Sequence, residues 1–165
     1  HDQGAYRNDR DDGADDGQNH PPLVFFVFLH QMFKSGIINP EINYHVSKMA
    51  HHDTMMISDA AMELPVHINR VDLAYTPGVP EITTVVKGML AECIIEKAYM
   101  ASEMKEHSPE LYTQYEKILG QYNIPIECVP HTEFCRLADK VSVAIRTGEF
   151  HYHYSSVILV SGCPY

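Results

Sequence analysis

Residues 48–65, KMAHHDTMMISDAAMELP, set an imidazole and a carboxylate at opposite ends of one short apolar run. His51 and His52 precede Asp53. Met55, Met56 and Ile57 follow, and Asp59 closes the run before a small-residue turn at Ala60 and Ala61. An imidazole titrates near neutrality and can donate or accept a proton. A carboxylate accepts hydroxyl hydrogen bonds or serves as a base. Carboxylates at the C-terminal end of a buried strand commonly face a ligand crevice. His131 and the cluster Tyr154, Ser155 and Ser156 also fall where strands are expected to begin or end. With His51 and Asp59 they make a set of acids, bases and hydroxyls suited to a polar small molecule. The chain has no phosphate loop, nucleophile elbow or dinucleotide fingerprint. His151 and His153 in HYHY (151–154) would share one face of a strand. No third ligand lies near them in sequence, so no metal and no other cofactor is expected.

The elements that must position these residues read as follows. Asn39-Pro40-Glu41 starts a helix, with an Asn cap, Pro in the first turn and an early acid. Ile42, Val46 and Met49 form its apolar face and bring the chain to His51. Residues 54–58 read as a strand buried on both faces. Residues 69–80, with Pro77-Gly78 and Pro80, read as a shaped loop rather than a strand. The β-branched run 82–89 reads as a strand, and 92–107 as a long helix with Ile95 and Tyr99 inside. A second helix restarts at Ser108-Pro109-Glu110 and stops at Gly120. Strands are expected at 124–129, 141–146 and 155–161, with a short helix at 132–140 and a turn at 147–149. Strands alternate with helices, so the class is α/β with helices on both faces of a sheet.

The 165 residues suit a single domain with a real core. A formal charge of −10 argues against a nucleic-acid partner, which needs clustered Lys and Arg. Four cysteines without CxxC spacing read as reduced thiols of a cytoplasmic protein. Residues 1–20 hold six Asp and two Arg with Gly and Asn, and read as a disordered acidic tail. The apolar stretch 23–29 is too short for a membrane helix, and the acidic flank is unlike a signal peptide. Residues 1–31 are therefore expected to be an extension without a role, and 32–165 the functional domain.

The order of several segments is more specific than any one of them. KSGIINPEI (34–42), HHDTMMISDAAMELP (51–65), RVDLAYTPGVP (70–80), HTEF (131–134), IRTGE (145–149) and YSSVILVSG (154–162) together resemble the D-ribose pyranase family. That sugar mutarotase group also includes L-fucose mutarotase. The resemblance covers residues 32–165, and the 72–80 loop looks like the ribose branch. It implies a three-layer α/β/α domain with a mixed, mostly parallel sheet. It also implies a cofactor-free enzyme that interconverts pyranose and furanose D-ribose, and a cytoplasmic, ring-shaped homo-oligomer. His51 stands where the family has its proton-donating histidine. Asp59 and His131 match its sugar-binding Asp and His, and Tyr154, Ser155 and Ser156 match a Tyr-Ala-Asn contact. Three departures stand out. Ser156 replaces Asn, Ala50 and Ala61 replace common glycines, and residues 150–153 hold one residue more than the ribose pattern. That extra residue makes Tyr152 a rival to Tyr154. Alternatives are a mutarotase for another sugar such as L-fucose, or a sugar-binding ring protein without turnover.

Overall fold

The computed structural model describes residues 36–165, so the expectations for residues 1–31 lie outside the described residues. In chain order the elements are α1 (Pro40–Val46), β1 (Thr54–Ser58), β2 (Asn69–Asp72), α2 (Ile82–Glu92), β3 (Ile95–Ala101) and α3 (Met104–His107). Then follow α4 (Pro109–Gly120), β4 (Ile126–Val129), α5 (His131–Ala138), β5 (Val143–Arg146) and β6 (Val157–Ser161). The six strands form one sheet in the order β2-β5-β1-β6-β3-β4. The pairings β2–β5, β5–β1 and β3–β4 are parallel, while β6 runs antiparallel to both β1 and β3. The sheet is mixed and mostly parallel, as expected.

Strand periodicity sorts the core into two layers. Met55 and Ile57 pack with Val143, Ile145, Val157 and Leu159 against α1, α2 and α4. Met56 points the other way, with Ala144 and Ile158, onto Phe134 and Ala138 of α5. Each such buried apolar side chain contributes about 1.5–3 kcal/mol. As the apolar run 55–57 suggested, β1 is covered on both faces, and its residues from Met55 to Ser58 are buried.

Four expected segments are different. Residues 82–89 belong to helix α2, not a strand. The buried residues Ile82, Val86, Met89 and Leu90 recur at helical spacing, and packing on the sheet overrides the β-branched propensity. Residues 95–101 are strand β3 rather than helix. Glu96, Lys97, Ala98 and Met100 are good helix formers, but the chain here is bonded to β6 on one side and β4 on the other. A register shift between Ile95 and Lys97 breaks the alternation that would have marked a strand. Only Met104–His107 of the expected helix is helical. Residues 69–72 form edge strand β2, where Val71 alone is buried, so no periodic signal existed. The HYHY segment is bends and turns, not a strand. α1 and α4 start where their caps and prolines indicated, with Asn39 Oδ1 accepting from the Glu41 and Ile42 amides. The remaining strands and α5 differ from expectation only at their ends.

The turn that follows β1 is fastened from three sides. The Thr147 amide and hydroxyl donate to Ser58 O at 2.9 and 2.8 Å. The Ala60 amide donates to Glu149 O at 2.8 Å. Arg146 Nε donates to Ala60 O at 3.0 Å, while its Nη1 pairs with Asp72 at 2.9 Å. The 73–80 loop lies directly on this turn, with the Gly78 amide donating to Gly148 O at 2.6 Å and the Gly148 amide to Pro80 O at 3.0 Å. A Cβ on Gly148 would run into the Val79 backbone. Gly148→Ala is therefore expected to cost about 1–3 kcal/mol as overpacking against an unyielding main chain. Thermal denaturation checks this, and a melting temperature equal to wild type would refute it.

Candidate functional site

A cleft of about 380 Å³ opens where β1 ends, β6 begins and α5 starts. That size falls within the range of small-molecule pockets, about 300–1,000 Å³. Asp59, His131, Tyr154 and Ser156 line it, together with Phe134 and Cys135.

Strand pairing brings these positions together. Ile57 on β1 sits opposite Val157 on the antiparallel β6. Ser155 and Ser156, just before β6, are thereby placed beside Asp59, just after β1. Ser156 Oγ donates to Asp59 Oδ2 at 2.8 Å and accepts from the Asp59 amide at 3.1 Å. Ser155 Oγ donates to the same Oδ2 at 3.4 Å. Asp59 Oδ1 accepts from the Ala61 amide at 2.9 Å. The carboxylate is thus held by two hydroxyls and a backbone amide, with lone pairs left for a ligand. Ser155 is fully buried beneath the cleft and does not line it.

Tyr154 has a left-handed backbone, φ 56°, uncommon for a large residue. Its neighbours hold it there. Tyr115, wholly buried, donates its hydroxyl to Ser155 O at 2.9 Å, and Ser108 Oγ donates to His153 O at 2.8 Å. Burial, with Glu149 and Asp59 adding to it, pushes the Tyr115 phenol well above its ordinary range, so it remains a neutral donor. The buried Glu149 accepts the His151 and Tyr152 amides at 2.8 and 3.1 Å, which shapes the approach to Tyr154. The Tyr154 ring meets His131 edge-on, 4.9 Å between centroids, and lies 5.2 Å from His107. Of the two rival tyrosines, Tyr154 lines the cleft. Tyr152 instead faces a separate hollow with His107, Glu110 and His151.

His131 is the first residue of α5, and its amide donates to both oxygens of Glu103, at 3.0 and 2.9 Å. That bond is the main reason the Glu103 carboxyl lies below the usual carboxylate range. Cys135 follows one turn later, its Sγ 3.7 Å from His131 Nε2. Burial first, then Asp139 and Glu63, push its thiol up, so it is a neutral wall of the cleft rather than a nucleophile. Sequence reasoning missed Glu103 because it lay inside the supposed long helix. Replacing Glu103 by Gln should cost about 1 kcal/mol, as loss of a charge at a helix N-terminus does. The sign follows from the lowered carboxyl. Its stabilisation is complete above the ordinary glutamate range and is lost as pH falls through the lowered value. Melting curves from neutral to acid pH should show the gap between wild type and Glu103→Gln closing as pH drops. A gap that stays constant with pH would count against this role.

His51 is absent from the cleft. It lies before the opposite end of β1, where its Nε2 is 2.9 Å from Glu96 Oε2. His52 Nδ1 is 2.8 Å from the other oxygen, Oε1, and the two imidazoles stack 3.7 Å apart. The His51 hydrogen bond is the main cause that holds the Glu96 carboxyl below its usual range, with His52 adding to it. So the structure gathers Asp59, His131, Tyr154, Ser155 and Ser156 and leaves His51 on the far side of the strand.

A three-layer α/β domain with a carboxylate, an imidazole and hydroxyls converging at its strand ends is built to hold a small polar ligand. The chain belongs to the RbsD / FucU transport protein family, whose model matches residues 32–164. It is 35% identical over 140 residues to a D-ribose pyranase of Actinobacillus succinogenes, covering 81% of this chain and all of that one. It is 38% identical over 131 residues to a D-ribose pyranase of Coprothermobacter proteolyticus, covering 79% and 98%. Among solved structures, Bacillus subtilis RbsD complexed with D-ribose is similar, with a TM-score of 0.76 and 30% identity, over 81% of this chain and 100% of the other. Fucose mutarotase from Streptococcus pneumoniae, in complex with L-fucose, has a TM-score of 0.67 over 78% and 95%. At 15% identity it shares the fold.

Proposed function

We propose that this chain is a sugar pyranase that interconverts the pyranose and furanose forms of D-ribose by acid–base ring opening. The observation that carries the reading is the Asp59 carboxylate, fixed by Ser155 and Ser156 and faced by His131 and Tyr154. It occurs in a chain 30% identical to a protein solved with D-ribose. Asp59 takes the proton of the anomeric hydroxyl, and the His51 imidazolium of a neighbouring chain gives one to the ring oxygen. The bond from C1 to the ring oxygen breaks and leaves an open aldehyde. After rotation a different hydroxyl adds to C1, and both protons return. His131 and Tyr154 orient the sugar. The steps move protons and break a C–O bond without net oxidation, so the reaction calls for no redox cofactor. General acid–base catalysis supplies about 10²–10⁴-fold, which suits a reaction that already runs unaided.

The geometry of β1 favours a homo-oligomer, since one chain's cleft lacks His51, and the family resemblance favours a ring. Unpaired Cys93, Cys128, Cys135 and Cys163 favour a cytoplasmic setting. Among the described residues no helix is long and apolar enough to cross a membrane. The span of the family match favours residues 32–165 as the functional domain. A chain begun at Met32 should keep full exchange activity and stability. A large drop in melting temperature would make residues 1–31 structural.

The deciding experiment is magnetisation-transfer NMR on a panel of free sugars, with D-ribose exchanging fastest in the presence of protein. One observation favours the non-catalytic alternative: Ser156, standing where the family has Asn, already spends its hydroxyl on Asp59 as donor and acceptor. Saturation-transfer signals from bound ribose without faster exchange would select that alternative.

A further inference from the structure

The proton-donor reading uses His51 and leaves His52 without a task. Yet the chain goes to some trouble to place His52. Its backbone is left-handed, φ 70°, a conformation uncommon for a non-glycine residue. The His52 amide donates to Ser161 O at 2.9 Å. The Asp53 amide closes on Ala50 O at 3.1 Å, and Asp53 Oδ2 accepts the Ala50 amide at 2.7 Å. Successive side chains on an extended chain point apart. This pinned turn instead stacks two successive imidazoles and aims one nitrogen of each at the same carboxylate, Glu96.

An acid needs one imidazole. A second, stacked 3.7 Å away, adds nothing to that role. Two neutral imidazoles and a carboxylate are, however, a common donor set for zinc, which leaves a fourth position open. Among the described residues this trio is the grouping of His, Cys, Asp and Glu that could hold a metal ion, with its ligand atoms within 4.8 Å of one another. Zinc bonds of about 2.0–2.1 Å at tetrahedral angles need ligand atoms roughly 3.4 Å apart. His51 Nε2 and His52 Nδ1 now reach different oxygens of Glu96, at 2.9 and 2.8 Å, so binding calls for a turn of the exposed side chains that brings ligand atoms now within 4.8 Å of one another to about that spacing. Both rings are accessible from solvent, His52 at 70% and His51 at 45% of the side chain.

We propose that His51, His52 and Glu96 form a binding site for a borderline divalent cation of the zinc type. On binding, each ring keeps its one proton on the nitrogen remote from the metal, so neutral imidazoles coordinate. Where the function proposed above holds, this site also has a regulatory consequence. A cation on His51 Nε2 removes the proton donor, so zinc inhibits the enzyme, and His52 is the residue that makes the inhibition tight. The inhibitory arm rests on that function; the binding arm does not.

The test uses the full chain, in competition with a chromophoric zinc chelator. Wild type should bind one tight equivalent more than either His52→Ala or Glu96→Gln, with affinity at that site at least about tenfold weaker in each variant. Cobalt should give a visible tetrahedral spectrum in wild type that both variants lack. Ribose exchange should fall with the same zinc midpoint. His52→Ala should keep its metal-free exchange rate and resist zinc at that concentration. Equal numbers of tight equivalents in wild type and both variants would overturn the site. Zinc inhibition that His52→Ala leaves unaltered would overturn the inhibitory consequence. If metal-free wild type shows no exchange while the extra equivalent still depends on His52 and Glu96, the metal site stands and the pyranase reading falls.

Discussion

His51→Ala lowers protein-catalysed exchange of ribose ring forms by about 10²–10⁴-fold, the usual contribution of a general acid. The fold should not notice. The His51 side chain is 45% exposed and its polar partner among the described residues is the surface Glu96, so the stability change should stay within about 0.5 kcal/mol, as for other surface substitutions. Activity and melting temperature must therefore separate in this variant. His52→Ala, one position along the same turn, is the control and should leave metal-free exchange near wild type. The role of His51 fails if its alanine variant is silent, or if His52→Ala does the damage instead.

The second large effect is a gain. Asp59→Ala alone should abolish exchange, since the carboxylate that Ser155 and Ser156 hold is the proposed base. Co-expressed with His51→Ala, it should recover part of the activity. The reason is distance. Five strand residues separate the two ends of β1, roughly 17 Å at about 3.3 Å each, several times the reach of a sugar hydroxyl. The strand has no bulge to shorten it, for Met55 to Ser58 pair in unbroken register with β5, and Thr54 to Ile57 with β6. One chain cannot present both groups to one sugar, so on the proposed mechanism the missing group comes from a neighbour. If the two variants assemble at random, about a quarter of the shared pockets carry both native residues. Exchange in purified mixed oligomers should approach that fraction. Mixed oligomers that form but stay as inactive as either parent would exclude the shared pocket.

The parts of this molecule that were legible in sequence are those where local signal and tertiary demand coincide. Asn39-Pro40 caps α1, Pro109 and Gly120 bound α4, and the run Met55-Met56-Ile57 is apolar because both faces of β1 are covered. The illegible parts are those where the two conflict. Ile82, Thr83, Thr84, Val85 and Val86 favour strand by propensity, yet only the spacing to Met89 and Leu90 reveals the buried helix face. Glu96 to Met100 favours helix, yet lies between two strands that supply its hydrogen bonds. The second error had a cost for the site. With β3 read as helix, no role was visible for Glu96 or Glu103. In the structure one holds both histidines of the 50–53 turn and the other holds the head of α5. The cluster of Asp59, His131 and Tyr154 to Ser156 was legible because every member sits at an element end that sequence signals marked. That His51 stands apart was also legible, from the length of β1 alone.

The stiffness of β1 has a consequence for how the protein behaves in a cell. If His51 and Asp59 act together across chains as proposed, an isolated chain carries the acid and the base at opposite ends of a rigid rod but no complete pocket. Turnover per chain then depends on how many chains are associated, and association follows mass action. On that proposal, dilution below the assembly threshold would silence exchange without unfolding the chain, and a rise in expression would switch on output more steeply than in proportion to the number of chains.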